Sequence, residues 1–275
     1  MNDIMSRYTK LFSGVDHAKA YARYRPTYPA EVYEQILQFL TGKDDRVKYD
    51  LAVDVGCGSG QSTKPLARYF TQVIGLDPSQ GQIQQGNEKK ENANVTLQVG
   101  SGEQLPCHSN SVDLLTCAQS FHWLDEKKFF AEADRVLKPG TGCLALYGYG
   151  NSIITNNHEV TKICHDFYQG TLKGYWSDRR WYIDNLYRHI TLPYTDQMRI
   201  DTITIEGSMS LDSYIGYLSS WSAYRAYLQK NSDDPLLDVK ARMLEALQRA
   251  SGNDTIEYTF PIFILLGRKP GENEN

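Results

Sequence analysis

Hydrophobic residues along the chain are grouped in short continuous runs, separated by segments in which they recur every three or four positions. The first pattern predicts strands that are buried on both faces, and the second predicts amphipathic helices. Strands are expected at 51–55, 72–76, 95–99, 111–118, 137–147, 198–207 and 256–266, and helices at 4–22, 31–40, 129–137, 211–228 and 236–249. This alternation predicts an α/β fold in which helices cover a central sheet.

Two regions depart from that alternation. From about 148 to 198 the chain is rich in Tyr, Trp, His and Arg and poor in continuous aliphatic residues. We interpret it as a helical cap inserted into a single domain that spans 1–275. The helix expected at 211–228 carries an aromatic stripe that includes Trp221 and Tyr224. Such a stripe either packs in the core, which is the commoner case, or lines a pocket.

Three alternating glycines follow the first predicted strand. Gly56, Gly58 and Gly60 are too closely spaced for the interior of a strand, so they predict a tight turn. Bare Cα atoms allow a ligand to lie against the backbone. We therefore predict a strand, a glycine turn and a helix N-terminus that together bind a ligand.

The residues on either side of the glycines refine this prediction. Asp54, at the end of the strand, can accept a hydrogen bond from a ligand amine or orient the turn. Ser62 or Thr63 is expected to cap the following helix, and Pro65 fits its first turn. A dinucleotide-binding turn needs a third small residue where this chain has Gln61, which disfavours a nicotinamide-dependent dehydrogenase.

Charge and cysteine content narrow the class of protein. The 275-residue chain has a formal net charge of -4, so no generally basic surface attracts nucleic acid or anionic membranes. Its five cysteines include no C-x-x-C pair, which predicts free thiols in a reducing cytoplasm without a disulfide framework or metal site. No signal peptide and no membrane-spanning run is apparent.

Five features in a fixed order resemble the motifs of class I S-adenosylmethionine (SAM) methyltransferases: the D-x-G-x-G-x-G pattern at 54–60, Asp77, G-S-G-E-Q-L-P at 100–106, Q-S-F-H-W at 119–123, and L-K-P-G at 137–140. The resemblance covers roughly residues 20 to 150. It implies a Rossmann-like, doubly wound and mostly parallel sheet of seven strands, with an antiparallel hairpin at one edge. It also implies SAM as cofactor and a small-molecule methyl acceptor.

The resemblance assigns cofactor contacts to particular residues. Asp77 would accept hydrogen bonds from the ribose hydroxyls, although it could also cap the helix that begins near Ser79. Ser101 stands where related enzymes carry an aspartate that contacts adenine, and Glu103 matches their glutamate. Gln119 follows the fourth strand, so it should border the reacting centre.

A narrower resemblance to the trans-aconitate methyltransferase group involves three segments: Y-R-P-x-Y-P at 24–29, F-H-W at 121–123 and S-W-S-A-Y at 220–224. It suggests that the N-terminal part, about 1–30, forms a strap across the cofactor site. Tyr24 or Arg25 would then face the cofactor's carboxylate. The alternative is a surface linker whose tyrosines only pack.

The same resemblance suggests an anionic acceptor. Arg179 and Arg180 could grip a carboxylate, although they could equally be surface residues. Trp123 is expected to form an aromatic wall, with Trp221 and Tyr224 also near the acceptor. His122 is either a general base, which a phenol or amine acceptor would need and a carboxylate would not, or a packing residue. N-, S- or phenol O-methylation and a non-catalytic SAM-binding protein remain the alternatives.

Overall fold

The computed structural model describes residues 24–42, 48–88, 92–248 and 255–272. Five parallel strands form the centre of the sheet in the order β3-β2-β1-β4-β5. These strands are β1 (Tyr49–Val55), β2 (Phe70–Asp77), β3 (Val95–Val99), β4 (Leu114–Ala118) and β5 (Cys143–Tyr149). The chain reverses its direction of travel across the sheet between β1 and β4, which creates a crevice at their carboxyl ends.

One long antiparallel strand, β9 (Thr255–Arg268), completes the sheet beside β5. It also pairs with β6 (Ile153–Ile154), β7 (Asp196–Ile200) and β8 (Thr204–Ser210). The predicted mostly parallel sheet with an antiparallel edge is therefore confirmed. The described residues contain nine strands rather than seven, partly because the predicted sixth strand is divided.

The division of that sixth strand is a β-bulge. Ile200 pairs with Ile264, and Thr204 pairs with Pro261. The first residues of these pairs are four positions apart in the chain and the second residues only three, so one residue is extra. The extra residue interrupts the ladder and bends the strand, as bulges generally do. Alternating hydrophobicity gives no sign of such an insertion.

Both faces of the sheet are buried, as the continuous hydrophobic runs predict. Adjacent residues of β5 point into different cores: Ala145 and Tyr147 belong to one, and Leu144 and Leu146 to the other. Helix α1 (Ala30–Thr41) packs in the first core, whereas α3 (Glu126–Val136) packs in the second; α2 (Gln80–Glu88) follows β2.

The long aromatic helix predicted at 211–228 is two helices, α6 (Leu211–Ser219) and α7 (Ser222–Leu228). The chain turns at Ser220, whose hydroxyl donates to the carbonyl of Tyr217 at 2.6 Å, and Trp221 is extended with ψ 135°. The final predicted helix is α8 (Pro235–Ala246).

Residues 148–198 contain β6, α4 (His158–Asp166), a π-helical turn (Phe167–Thr171) and α5 (Arg180–Asp184). The helix expected at 4–22, and the strap before residue 24, lie outside the described residues. In the described part of the chain, no helix is long and apolar enough to cross a membrane.

Candidate active site

The glycine turn requires glycine for two different reasons. Gly56, Gly58 and Gly60 all have positive φ, at 71°, 55° and 85°, a conformation that L side chains rarely adopt. A Cβ on Gly56 would also lie 2.3 Å from the Cβ of Ser120, whereas one on Gly58 would meet only the Oε1 of Gln82, at 3.9 Å. Gly56 therefore permits internal packing, and Gly58 leaves its backbone open to a ligand.

Asp54 is fully buried and orients the turn. Its carboxylate accepts hydrogen bonds from the hydroxyls of Ser62 at 2.9 Å, Thr63 at 2.6 Å and Thr116 at 2.8 Å. Burial raises the pKa of Asp54, and these three hydrogen bonds oppose the shift. The predicted capping role of Ser62 and Thr63 is wrong, because both hydroxyls face Asp54 and the turn leads into a short 3-10 helix, Lys64–Arg68.

Asp77 supports the same turn from the next strand. It is fully buried, and its two carboxylate oxygens accept from the backbone N–H groups of Gly58 at 3.0 Å and Ser79 at 2.8 Å. The Ser79 hydroxyl accepts from the N–H of Gln82 at 3.4 Å, so Ser79 rather than Asp77 caps α2. Contact between Asp77 and a ribose stays a prediction.

The cofactor pocket lies over this turn. It is bounded by residues 25–28, by the glycine turn and by the residues that follow β4. Gln82 lines it, and the buried Oε1 of that side chain has no hydrogen-bond partner among the described residues. An exposed glycine backbone and an acceptor atom without a partner fit a ligand that brings its own hydrogen-bond donors, as the amino group and ribose of SAM do.

A narrow apolar extension of the pocket passes Pro78, Gly100, Gly102 and Leu124. Ser101 and Glu103 do not line it. The Ser101 hydroxyl accepts from the N–H of Glu103 at 3.1 Å, and the Glu103 carboxylate accepts from the N–H of Asp125 at 2.9 Å, near the start of α3. The geometry therefore does not support the cofactor contacts predicted for these two side chains.

Gln119 lines the pocket and organises one of its walls. Its φ is 54°, and its amide makes two hydrogen bonds to the backbone of Tyr149, one with the N–H at 3.1 Å and one with the carbonyl at 3.0 Å. Arg25 then donates to the Tyr149 hydroxyl at 3.4 Å and to the Ser220 hydroxyl at 3.1 Å. The strap is thereby attached to the end of β5.

A second pocket lies beside the cofactor pocket, and we call it the acceptor pocket. The two pockets share Arg25, Gln119 and Trp123. Trp123 stands at the boundary between the two, which supports the predicted aromatic wall. The remaining lining residues come from the turn after β4, the cap and the start of α7: His122, Trp176, Ser177, Arg180, Ile183 and Ser222.

His122 is buried and hydrogen-bonded to Tyr187. Its backbone N–H donates to the hydroxyl oxygen of Tyr187 at 3.2 Å, and its Nδ1 lies 2.9 Å from the same oxygen. Which of these two atoms donates depends on the tautomer of the His122 ring. Burial, together with the charges of Arg180 and Arg179, lowers the pKa of His122 to about 3. The general-base hypothesis is therefore not supported.

Arg180 brings positive charge into the acceptor pocket. Its guanidinium lies over the rings of Trp176 and Tyr168, at 4.8 Å and 5.2 Å from their centroids. The Nε group donates to the Tyr168 hydroxyl and the Asp184 carboxylate, and Nη2 donates to Asn151. Among the described residues Nη1 makes no hydrogen bond, so both its donors are available to a ligand.

Arg179 has a different environment. It does not line the pocket, and its guanidinium stacks on the ring of Tyr182 and donates to that residue's hydroxyl at 3.2 Å. The prediction treated the two adjacent arginines alike. The structure brings only Arg180 to the acceptor pocket.

The structure also separates Trp221, Tyr224 and Tyr24 from both pockets. Trp221 is buried against Phe167 and other cap aromatics, and Tyr224 donates to Asp234 at the start of α8. Tyr24 packs against Gly216 of α6. The aromatic stripe is core, as the commoner interpretation expects.

Several lining residues were not predicted. Tyr28 and Tyr149 line the cofactor pocket, and their rings contact each other at 5.8 Å between centroids. Tyr28 lies within the Y-R-P-x-Y-P motif, so that motif could have identified it. Nothing in the local sequence indicates that Tyr187 faces His122, because 65 residues separate them. In the described part of the chain, no group of three His, Cys, Asp or Glu side chains could hold a metal ion.

Comparisons with known proteins agree with this site. A model of the methyltransferase domain matches residues 53–145. A Dictyostelium discoideum protein named as a methyltransferase is 38% identical over 254 residues, covering 92% of this chain and 93% of that protein. A Saccharomyces cerevisiae protein named as a SAM-dependent methyltransferase is 24% identical, covering 90% and 94%.

Solved structures give the same result. One described as a type II methyltransferase from Anaeromyxobacter dehalogenans is 30% identical, with a TM-score of 0.73, and covers 90% of this chain and 99% of that one. A Haemonchus contortus phosphoethanolamine N-methyltransferase in complex with SAM shares the fold, with 18% identity, a TM-score of 0.51, and coverage of 98% and 60%. The chain belongs to the class I SAM-dependent methyltransferases, and SAM is its cofactor.

Proposed function

We propose that this methyltransferase transfers the SAM methyl group to a carboxylate oxygen of a small-molecule acceptor. The observation that carries the proposal is the charge of the acceptor pocket. Arg25 and Arg180 both line it, and the neutral side chain of His122 lines it as well. No Asp or Glu side chain lines this pocket among the described residues.

The absence of a suitable base in the described lining also favours a carboxylate. A phenol or protonated amine must lose a proton before it attacks a methyl group, and a base with a pKa near 3 is too weak to remove it efficiently at neutral pH. A carboxylate is already ionised. The sulfonium methyl of SAM is intrinsically reactive, so these residues need only bind, orient and desolvate the acceptor.

The arrangement assigns a task to each residue. Arg180 offers its two Nη1 donors to one or both carboxylate oxygens, and His122, in the tautomer whose Nδ1 accepts from Tyr187, offers a neutral Nε2–H. Trp123 lies at the boundary between cofactor and acceptor, where an aromatic face can stabilise the sulfonium charge. The narrower resemblance to the trans-aconitate methyltransferase group supports the same acceptor chemistry.

The product identifies the reaction. The enzyme is incubated with methyl-labelled SAM and a panel of carboxylic acids, phenols and amines. Methyl esters release labelled methanol in mild base, whereas methylamines and aryl methyl ethers do not. We expect base-labile label with carboxylic acids. Label that survives base would contradict the proposal.

The adjacent arginines provide a matched pair of variants. Arg180→Gln removes the charge that lines the pocket and should raise KM for an acidic acceptor by about 10- to 150-fold, the value of one or two charged hydrogen bonds. Arg179→Gln removes the same charge outside the pocket and should change KM by less than about threefold. SAM affinity, measured by calorimetry, should be unchanged in both. Equal effects of the two variants on KM would exclude Arg180 as the acceptor's partner.

We also propose a cytosolic location. All five cysteines lie within the described residues and are free thiols, four of them buried, which suits a reducing compartment. Microscopy of a fluorescent fusion in the native host tests this, and a signal confined to the secretory pathway would contradict it.

A further inference from the structure

Another cavity, larger than the acceptor pocket, lies behind Arg180. It has a volume of about 420 Å³, compared with about 50 Å³ for the acceptor pocket. On the same measure a single water needs roughly 10–15 Å³, so the acceptor pocket has room for about four waters, enough for a carboxylate and little more. The cavity behind Arg180, which we call the distal cavity, is within the size range of pockets that hold organic ligands.

The distal cavity lies next to the acceptor pocket, and the two share part of one wall. Ile183 lines both. Arg180 lines the acceptor pocket, and the three residues to which it donates, Asn151, Tyr168 and Asp184, all line the distal cavity. The guanidinium therefore stands at the boundary between a small charged chamber and a larger one.

The lining of the distal cavity favours an apolar ligand. Several of its polar side chains are already bonded within the protein: Ser152 to Tyr214 at 2.8 Å, and Thr161 to the backbone of Ile154 at 2.9 Å and 3.1 Å. The Asn151 and Asp184 side chains accept from Arg180. A polar ligand would find few of these groups available, because each is satisfied within the fold.

Most of the remaining lining of the distal cavity is apolar, and its polar members, His165 and Gln169, are exposed. Its buried part includes Trp221 and Tyr168, beside Ile183, and its rim includes the half-exposed Ile153 and the exposed Gln169. An alkyl chain or aromatic ring placed there would lose its contact with water.

We propose that the distal cavity binds the alkyl or aryl tail of the acceptor, whose carboxylate is held by Arg180 in the acceptor pocket. The substrate class is thus an amphiphilic carboxylic acid rather than a short polar one. This inference rests on the proposed carboxylate methylation for the head group, and it adds the tail and the surface that binds it.

A chain-length series tests the tail. With SAM saturating, kcat/KM is measured for butanoate, hexanoate, octanoate and 4-phenylbutanoate. We expect kcat/KM to rise by about fourfold for each CH₂ group that enters the cavity, and then to level off. Equal values of kcat/KM for butanoate and octanoate would overturn the proposal.

A variant at the rim tests the surface. Ile153→Trp places a larger ring over the opening, and it should lower kcat/KM for octanoate at least tenfold while leaving butanoate within about twofold. Leu237→Trp is the matched control, because Leu237 is an exposed apolar residue of α8 that lines neither cavity. It should leave both acids unchanged. A loss that is equal for the two acids, or equal in the two variants, would contradict the distal site.

Binding measurements test the distal cavity independently of methyl transfer. Calorimetry with octanoate and butanoate, in the presence of S-adenosylhomocysteine, measures the tail contact whether or not methyl transfer occurs. If octanoate binds more tightly than butanoate and Ile153→Trp removes the difference, the distal site holds even where no ester forms. If esters form on both acids with the same affinity, only the distal site fails.

Discussion

The glycine turn and the acceptor pocket differ in how their parts are distributed along the chain. Asp54, the three glycines and the hydroxyls of Ser62 and Thr63 lie within ten consecutive residues. The acceptor pocket takes Arg25 from the strap, His122 from the turn after β4 and Arg180 from the cap.

This difference determines what can be predicted. In the glycine turn, each residue type is required by a backbone conformation or by a neighbour in the chain, so spacing carries the information. In the acceptor pocket, the role of a residue depends on which distant group it meets. Arg179 and Arg180 are identical in type and adjacent, yet only one lines the pocket. The first half of the site is therefore fixed locally and the second by tertiary contacts.

The largest expected effect is on SAM binding, at Gly58 of the locally determined glycine turn. Gly58→Ala places a methyl group in the cofactor pocket and should weaken SAM binding about 100-fold by calorimetry. Gly174→Ala, in the cap, is the matched control, because Gly174 also has positive φ, at 82°, but nothing lies within 4 Å of the added Cβ. Both variants should lose about 1–2 kcal/mol of stability. Loss of SAM binding in both would mean that backbone strain, not the pocket, is responsible.

The acid dependence of His122 is the next largest effect. Its pKa is about 3 in the folded protein and about 6.5 when unfolded, so only the unfolded chain takes up the proton as pH falls below 6.5. Stability present above pH 6.5 is then lost progressively down to about pH 3. Between pH 7.5 and 4.5 the native protein should lose roughly 2–3 kcal/mol more than His122→Phe in urea unfolding. Equal pH dependence would show that His122 titrates normally.

Activity gives a second readout of the same group. Because His122 stays neutral, the pH profile of kcat/KM for the wild-type enzyme should have no inflection near pH 6.5 that is due to this residue. The profile of His122→Phe should therefore have the same shape in that range. Such an inflection would restore the general-base hypothesis and favour a phenol or amine acceptor.

A smaller effect distinguishes the two roles weighed for Asp54. If it orients the turn, Asp54→Asn should lower stability by about 1–3 kcal/mol, since the amide cannot accept from all three hydroxyls. SAM affinity of the folded variant should then change by less than about fivefold. A much greater loss of affinity with unchanged stability would indicate direct contact with the cofactor.

The smallest effect is expected at Tyr224. Tyr224→Phe removes one hydrogen bond to Asp234, which should cost about 0.5–1.5 kcal/mol in thermal or urea unfolding. KM for the acceptor should not change, because Tyr224 packs in the core outside the pocket. A change of KM above about threefold would return Tyr224 to the acceptor site.

The sequence alone determined the α/β fold and the position of the glycine turn, and the resemblance of its ordered motifs to class I SAM methyltransferases indicated the cofactor. These depend on residues that are near one another in the chain, and the geometry of a strand or a turn repeats wherever the same spacing occurs. It also indicated that Gln119 and Trp123 border the site, because the ends of parallel strands meet at one edge of the sheet, and both residues line the pockets.

Tertiary structure decided the rest. The carboxylate of Glu103 was predicted to contact the cofactor, but the folded chain gives it an internal donor, the N–H of Asp125. His122 was a candidate base, but the fold buries it near Arg180 and Arg179, which lowers its pKa to about 3. A polar side chain acts on whichever partner the fold brings within about 3 Å, and that partner is set by the packing of distant segments, which no local pattern encodes.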